Sequence, residues 1–203
     1  MSSRLSVAVF VLLCGVGLSA LQAAVVSQQQ ADAFTKKLAI VTQRGASGIQ
    51  SRSGAPQRTP FTEGEVNSWF AYGSSDVLPQ GVSDPRLTMA GDGKLRGTAT
   101  VDLETIAKRR SSGSALDPWA YLGGRLPVTV SGVLRTQNGT GQFELQEATV
   151  SGVPVPTSVL QDIVAYYSKT AGDPEGVRLD GPFKLPSQIK QIEVGQGQAV
   201  VVQ

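Results

Sequence analysis

The sequence predicts an α+β fold: a curved, largely antiparallel β-sheet packed on amphipathic helices, preceded by an N-terminal signal or anchor helix. Three observations lead there. From Lys94 to Glu104 the odd positions are Leu95, Gly97, Ala99, Val101 and Leu103, while the even ones are polar or charged. That period of two marks a strand with one buried and one wet face. Turn signals of the hairpin type, Gly91-Asp92-Gly93 and Asn138-Gly139, each lie between two such segments. Apolar stripes of helical period flank this strand-rich region on both sides.

The elements follow in order. Leu5 to Val26 is an apolar stretch interrupted only by Ser6, Ser19 and Gln22, with Arg4 in front of it. This is the layout of a secretory signal peptide. It is also long enough to stay in a bilayer as an anchor, for which about 20 residues are needed. The alanines at Ala20, Ala23 and Ala24 form no clean cleavage triplet, and Leu13 before Cys14 only faintly matches a lipidation site. Cleavage, anchorage and lipidation all place the remaining chain outside the cytoplasm, in the periplasm or cell envelope.

Ser27 to Arg44 reads as a short amphipathic helix with Phe34, Leu38 and Val41 on one face. Residues 45–60, rich in Gly, Ser, Ala, Gln and Pro, read as a flexible linker. The folded α+β domain is then expected over 61–203. Thr62 and Glu65 form a capping box, with Phe61 and Val66 as its hydrophobic staple. Val66, Trp69 and Phe70 follow on one helical face, and the helix stops near Gly73.

Strands are expected at Arg86–Ala90 and Lys94–Glu104, then at Leu126–Thr136 and Gly141–Val150. In the last of these the inward phase changes parity around Gln146-Glu147, which predicts a β-bulge. Pro154 and Pro156 introduce a helix whose apolar stripe is Val159, Leu160, Ile163, Val164 and Tyr167. Strands at Val177–Leu179, Phe183–Leu185, Ile189–Val194 and Gln198–Val202 close the chain. The last is apolar on both faces and should be an interior strand or line a cavity. All the strands are expected in one sheet.

Composition narrows the chemistry. The 203 residues contain no histidine and one cysteine, Cys14. Ser-His-Asp and Cys-His nucleophiles and His-based zinc sites therefore lack an essential residue, and no disulfide can form within the chain. A net charge of +2, from 18 basic and 16 acidic residues, gives no footprint for nucleic acid. There is no phosphate-binding glycine loop and no nucleophile elbow. Asp102/Glu104 and Glu144/Glu147 are carboxylate pairs, for which a solvated strand face is the ordinary reading. Asp173-Pro174-Glu175 lacks the spaced oxygens of a calcium loop. No cofactor, metal or catalytic residue is expected. The triplet Lys108, Arg109 and Arg110 is either a solvated loop or a contact for anionic head groups.

The apolar faces remain. The Val159–Tyr167 stripe either packs as ordinary core or encloses, with the sheet, a groove for an apolar ligand. In the second reading Trp69, Phe70 and the inward strand residues form the opposite wall. Gly97, Ala99, Gly132, Ala148 and Gly152 would leave space there, or else mark bends in the sheet.

Two segments carry a resemblance. Phe61-Thr62-Glu63-Gly64-Glu65-Val66-Asn67 is similar to the "L-T-E-x-E-[LV]-N" helix start of bacterial exported proteins of the YpmS and LmeA type. Leu185 to Val194, followed by Gly197 to Val202, is similar to their terminal hairpin. Those proteins resemble the tubular lipid-binding (TULIP-like) superfamily, in which a curved sheet wraps a long helix over a lipid groove. The resemblance spans Phe61 to Gln203 and brings no catalytic residue with it. It departs at Pro156–Thr170, a short helix for such a groove, and at the linker before Phe61. It implies a non-catalytic envelope protein that binds or carries a lipid. The implied contacts are Trp69, Phe70, Val159, Leu160, Ile163, Val164 and Tyr167, with Lys108, Arg109 and Arg110 at the head group. The partners would be a lipid and a membrane surface. The other reading is a protein-interaction or assembly module with a solid core, using a sheet edge or the Ser27–Arg44 helix.

Overall fold

A computed structural model describes residues 26–47, 55–74, 76–78, 80–102, 124–158, 160–161, 165, 178–179 and 181–203. The fold is α+β, with two helices packed against antiparallel sheets. Helix α1 spans Gln28–Ser47, strand β1 Arg58–Thr62 and helix α2 Glu63–Tyr72. Strands β2 (Val82–Gly91), β3 (Lys94–Asp102), β4 (Arg125–Gln137) and β5 (Thr140–Val150) follow. The short strands β6 (Val153–Pro154) and β7 (Pro182–Lys184) precede β8 (Gln191–Gly195) and β9 (Gln198–Val202).

The strands form two sheets, not the single one expected. The smaller has the order β1-β9-β8; in the larger, β2-β3-β4-β5-β6 run side by side and β7 also pairs with β5. Strand β9 is the centre of the smaller sheet, which accounts for its two apolar faces. The residue range read as a linker is partly ordered: α1 continues to Ser47, and β1 starts at Arg58. Its proline had obscured that strand. Pro60 can sit there because β1 is an edge, where a missing N–H costs no ladder bond.

Hairpin geometry follows from the turn residues. Asp92 and Gly93 have φ of 52° and 77°, Asn138 and Gly139 have 51° and 79°, so both turns are of the two-residue type with positive φ. The bulge is at Gln146: Ser131 pairs with Glu147 and Gly132 with Leu145. This extra residue turns Leu145 and Phe143 to the same side of the sheet as Ala148 and Val150. Arg178 and Leu179, expected in a strand, are irregular and in a turn.

Helix α2 sits where the two sheets meet. Thr62 accepts from the Glu65 N–H at 3.2 Å while the Glu65 carboxylate accepts from the Thr62 N–H at 2.9 Å, completing the capping box. Phe61 and Val66, the staple, are both buried in the main core with Met89, Leu185, Ile189, Val194, Ala199 and Val201. Glu63 donates its N–H to the Gly197 carbonyl at 2.8 Å and accepts the Met89 N–H on its carboxylate at 2.7 Å. Asn67 closes a two-way pair with Leu87, donating to its carbonyl at 2.8 Å and accepting its N–H at 2.7 Å. That side-chain amide acts as a further strand partner for the exposed edge of β2.

Helix α1 is part of the same body. Its inward face is Ala31, Phe34, Lys37 and Val41, whereas Leu38, expected inside, is 41% exposed. Gly64 and Ser68 are buried on α2, small enough to let the helices approach. Ser68 accepts from the Ser27 N–H at 3.1 Å and donates to the Gln30 side chain at 3.3 Å, which fixes the start of α1. Lys37 reaches both Glu65 carboxylate oxygens at 2.7 and 2.8 Å and the Pro60 carbonyl at 2.8 Å.

Glu65 therefore serves a cap and an ion pair at once. Glu65→Ala is expected to lower stability by about 2–4 kcal/mol, combining a lost cap with a half-buried ammonium left unpaired. Glu65→Gln, which keeps the hydrogen bond to Thr62, should cost clearly less. Urea unfolding midpoints of the two variants check this; equal losses would contradict it.

Candidate functional site: an apolar cavity between α2 and the larger sheet

The larger sheet presents one continuous apolar face. Cross-strand pairs on that face are Leu87 with Gly97, Met89 with Leu95, Ala99 with Val128, Gly97 with Val130 and Val130 with Ala148. Leu87, Met89, Leu95 and Leu134 belong to, or pack against, the core under α2 and the smaller sheet. Beyond them lies a cavity of about 270 Å³ lined by Phe70, Pro85, Arg86, Leu87, Gly97, Thr98, Ala99, Val101, Val128 and Val130. A second cavity of about 510 Å³ adjoins it and shares Phe70, Pro85 and Arg86. It runs along the second half of α2, lined by Val26, Asn67, Ala71, Tyr72, Ser74, Leu78 and the segment 80–84.

The shape of this space depends on side-chain size. At Gly97 an added Cβ would find only the Val130 carbonyl oxygen, at 4.0 Å, so the position is open. Gly132 leaves no comparable room, because such a Cβ would run into the Glu144 carbonyl oxygen and lie 2.6 Å from the Phe143 ring. Gly152 is not on a strand face: with Ser151 it makes the turn into β6, at φ of 79° and 51°.

The aromatic residues of α2 divide. Phe70 lines both cavities, as expected of a groove wall. Trp69, one position earlier and about 100° around the helix, instead stacks with Phe34 of α1 at 5.1 Å and with Phe70 at 5.5 Å between centroids. Phe34 in turn meets Phe61 edge-on at 5.2 Å. Trp69 is thus in the helix–helix seam and lines neither cavity. Leu160 is buried, and its N–H bonds to the Pro156 carbonyl at 3.3 Å, an opening helical turn. Val159, Ile163, Val164 and Tyr167 lie outside the described residues, as do Lys108, Arg109 and Arg110. The rim residues Pro85, Arg86 and Tyr72 are not singled out in the sequence, where Arg86 figures only as the start of a strand.

Charge lies mostly elsewhere. Arg135 donates to Glu144 at 2.7 Å and Arg58 bonds Glu193, both on exposed faces. These hydrogen bonds hold each carboxyl below its ordinary value. Their contribution is present above the unfolded carboxylate range, near about 4.3, and fades as pH falls through the depressed folded values. In the cavity walls the charged side chains are Asp84 and Arg86. Among the described residues no cluster of three or more Cys, Asp or Glu could hold a metal, and no helix is long and apolar enough to cross a membrane.

The contrast between the glycines is testable. Gly97→Ala should leave stability unchanged or raise it by about 0.5–1 kcal/mol, since glycine is unfavourable inside a strand. Gly132→Ala should be destabilising by about 1–3 kcal/mol through overpacking against the Glu144 carbonyl and the Phe143 ring. Thermal unfolding of both variants reads the difference; equal effects would mean that the space at Gly97 is not there. Compared with known proteins, the chain matches no family, no curated protein and no solved structure.

Proposed function

We propose that the chain is an exported, non-catalytic cell-envelope protein that binds or carries a lipid in the apolar cavity between α2 and the larger sheet. One observation carries this reading: the wall of Phe70, Leu87, Gly97, Ala99, Val101, Val128 and Val130 is almost wholly apolar, and it adjoins a second, more polar cavity. Their volumes, about 270 and 510 Å³, fall near or within the usual range of small-molecule sites, roughly 300–1,000 Å³. A site of this kind selects by shape and apolar area, and suits a chain without histidine or a paired cysteine. Export rests on the apolar stretch Leu5–Val26 behind Arg4. The resemblance to YpmS- and LmeA-type proteins points the same way, and the motif that carries it forms the joint under the cavity.

A second reading, an interaction or assembly module, is favoured by the outer edge of β5. Among the described residues, β7 pairs with Thr140–Gln142, β6 with Thr149–Val150 and the Val155 N–H with the Ala148 carbonyl, so 143–147 have no strand partner on that side. Its other candidate surface, the apolar face of α1, is occupied by α2 and the core.

The experiment is mass spectrometry of organic extracts from protein purified from its own envelope without detergent, beside the Gly97→Leu variant. A stoichiometric lipid in the native chain, reduced several-fold in a variant with unchanged circular dichroism, is the expected result. No lipid in either, or equal lipid in both, would overturn the cavity assignment.

A further inference from the structure

Resting on the lipid-carrying reading, we infer that the mouth of the larger cavity is a membrane-docking face, held against the same bilayer that receives residues 5–26. The first ground is where the apolar stretch ends. Val26 is its last residue and also lines the 510 Å³ cavity. The next residue, Ser27, is already fixed: its N–H donates to Ser68 at 3.1 Å, and its hydroxyl accepts from the Gln30 N–H at 3.3 Å. Only one Cα–Cα step, about 3.8 Å, separates the stretch from a docked helix. A segment retained in the membrane therefore leaves the domain no slack to turn this mouth away.

The second ground is the surface round the mouth. Tyr72, on the cavity wall, is 53% exposed, and Val77, next to the lining residue Leu78, is 67% exposed. The turn that presents Val77 is pinned from inside. Ser74 is buried, its hydroxyl bonds the Phe70 carbonyl at 2.7 Å, and its own carbonyl accepts the N–H groups of Val77 and Leu78. An amphipathic tyrosine beside an exposed aliphatic turn suits the bilayer interface. Arg86 and Asp84 share the same rim and the exposed Asp76 precedes Val77 in the turn, so no basic surplus draws the face to a membrane and apolar contact carries the docking. A lipid then passes from leaflet to cavity along Tyr72 and Phe70 without crossing water.

The test uses the full chain with Cys14→Ser, carrying one added cysteine at a time, Val77→Cys or Val153→Cys. Val153 is 65% exposed on β6, at the opposite edge of the larger sheet, about four strand spacings or roughly 19 Å from β2. Each protein is labelled with a fluorophore and reconstituted in phosphatidylcholine vesicles containing nitroxide-labelled lipid. Mass spectrometry verifies that residues 1–26 are retained. Quenching at position 77 at least three-fold stronger than at 153 is expected. Equal quenching, stronger quenching at 153, none at either, or removal of residues 1–26 in the mature protein would each overturn the docking face. Lipid extracted from the unlabelled protein reports the carrying function separately, so a failed orientation is distinguishable from a failed ligand.

Discussion

Two sheets of different size must be held at a fixed angle; they bond to each other directly, Gly93 to Val194, Gly139 to Lys190 and Thr136 both ways to Ile192, and the first turn of α2 ties into the same seam. The N–H groups of a helix's first turn have no partner inside the helix. Here Glu63 gives its N–H to Gly197, in the hairpin of the smaller sheet, while its carboxylate takes the Met89 N–H from the edge of the larger. The Gly197 N–H returns to the Met89 carbonyl at 2.8 Å, closing a ring of backbone and side-chain bonds across the seam. Glu63 and Glu65 also place negative charge at the positive end of the helix. Each polar member of Thr62-Glu63-Gly64-Glu65-Val66-Asn67 has a separate duty, and Gly64 and Val66 are buried between them.

From this joint the cavity follows as a matter of length. Helix α2 has 10 residues, so it covers about 15 Å. Strand β2, against which it packs, also has 10 but extends about 33 Å. The helix therefore shields the part of the sheet near Leu87, Met89 and Leu95 and runs out over Gly97, Ala99 and Val130. Phe70, in its last turn, marks the boundary between packed core and open space. The small side chains beyond it keep that space from being filled by the sheet's own residues.

Most of the local structure was legible in the sequence because it is set by neighbours in the chain. The capping box, the two hairpin turns and the bulge at Gln146 each depend on residues within a few positions, and each is found where the pattern places it. What depended on distant partners was not legible. Strand β1 is specified by pairing with β9, from the other end of the chain. The division into two sheets arises at the Pro186–Ile189 turn, where Ser187 and Gln188 take φ of 53° and 54° and redirect β8. Helical period grouped Trp69 with Phe70, yet the arrival of α1 draws one into a seam and leaves the other at a cavity. Leu38 and Lys37 are the reverse case, since the ion pair with Glu65 brings the charged neighbour inward.

Helix α2 thus joins two properties that are usually separate. Its first half is tied by Glu63, Glu65 and Asn67 to both sheets and to α1, and its last turn carries residues that border the cavity. Asn67 belongs to both, bonding Leu87 while lining the larger cavity. In the proposed carrier, a lipid pressing on Phe70 would push on a helix whose other end is clamped, so the wall resists displacement. The segment 74–84 on the far side is held at its two ends. Ser74 bonds back to Phe70, and the Gly81 carbonyl accepts the Asp102 N–H at 2.7 Å. Both walls of the larger cavity are thus tied to the rest of the fold, so in the proposed carrier its width is set before a lipid enters.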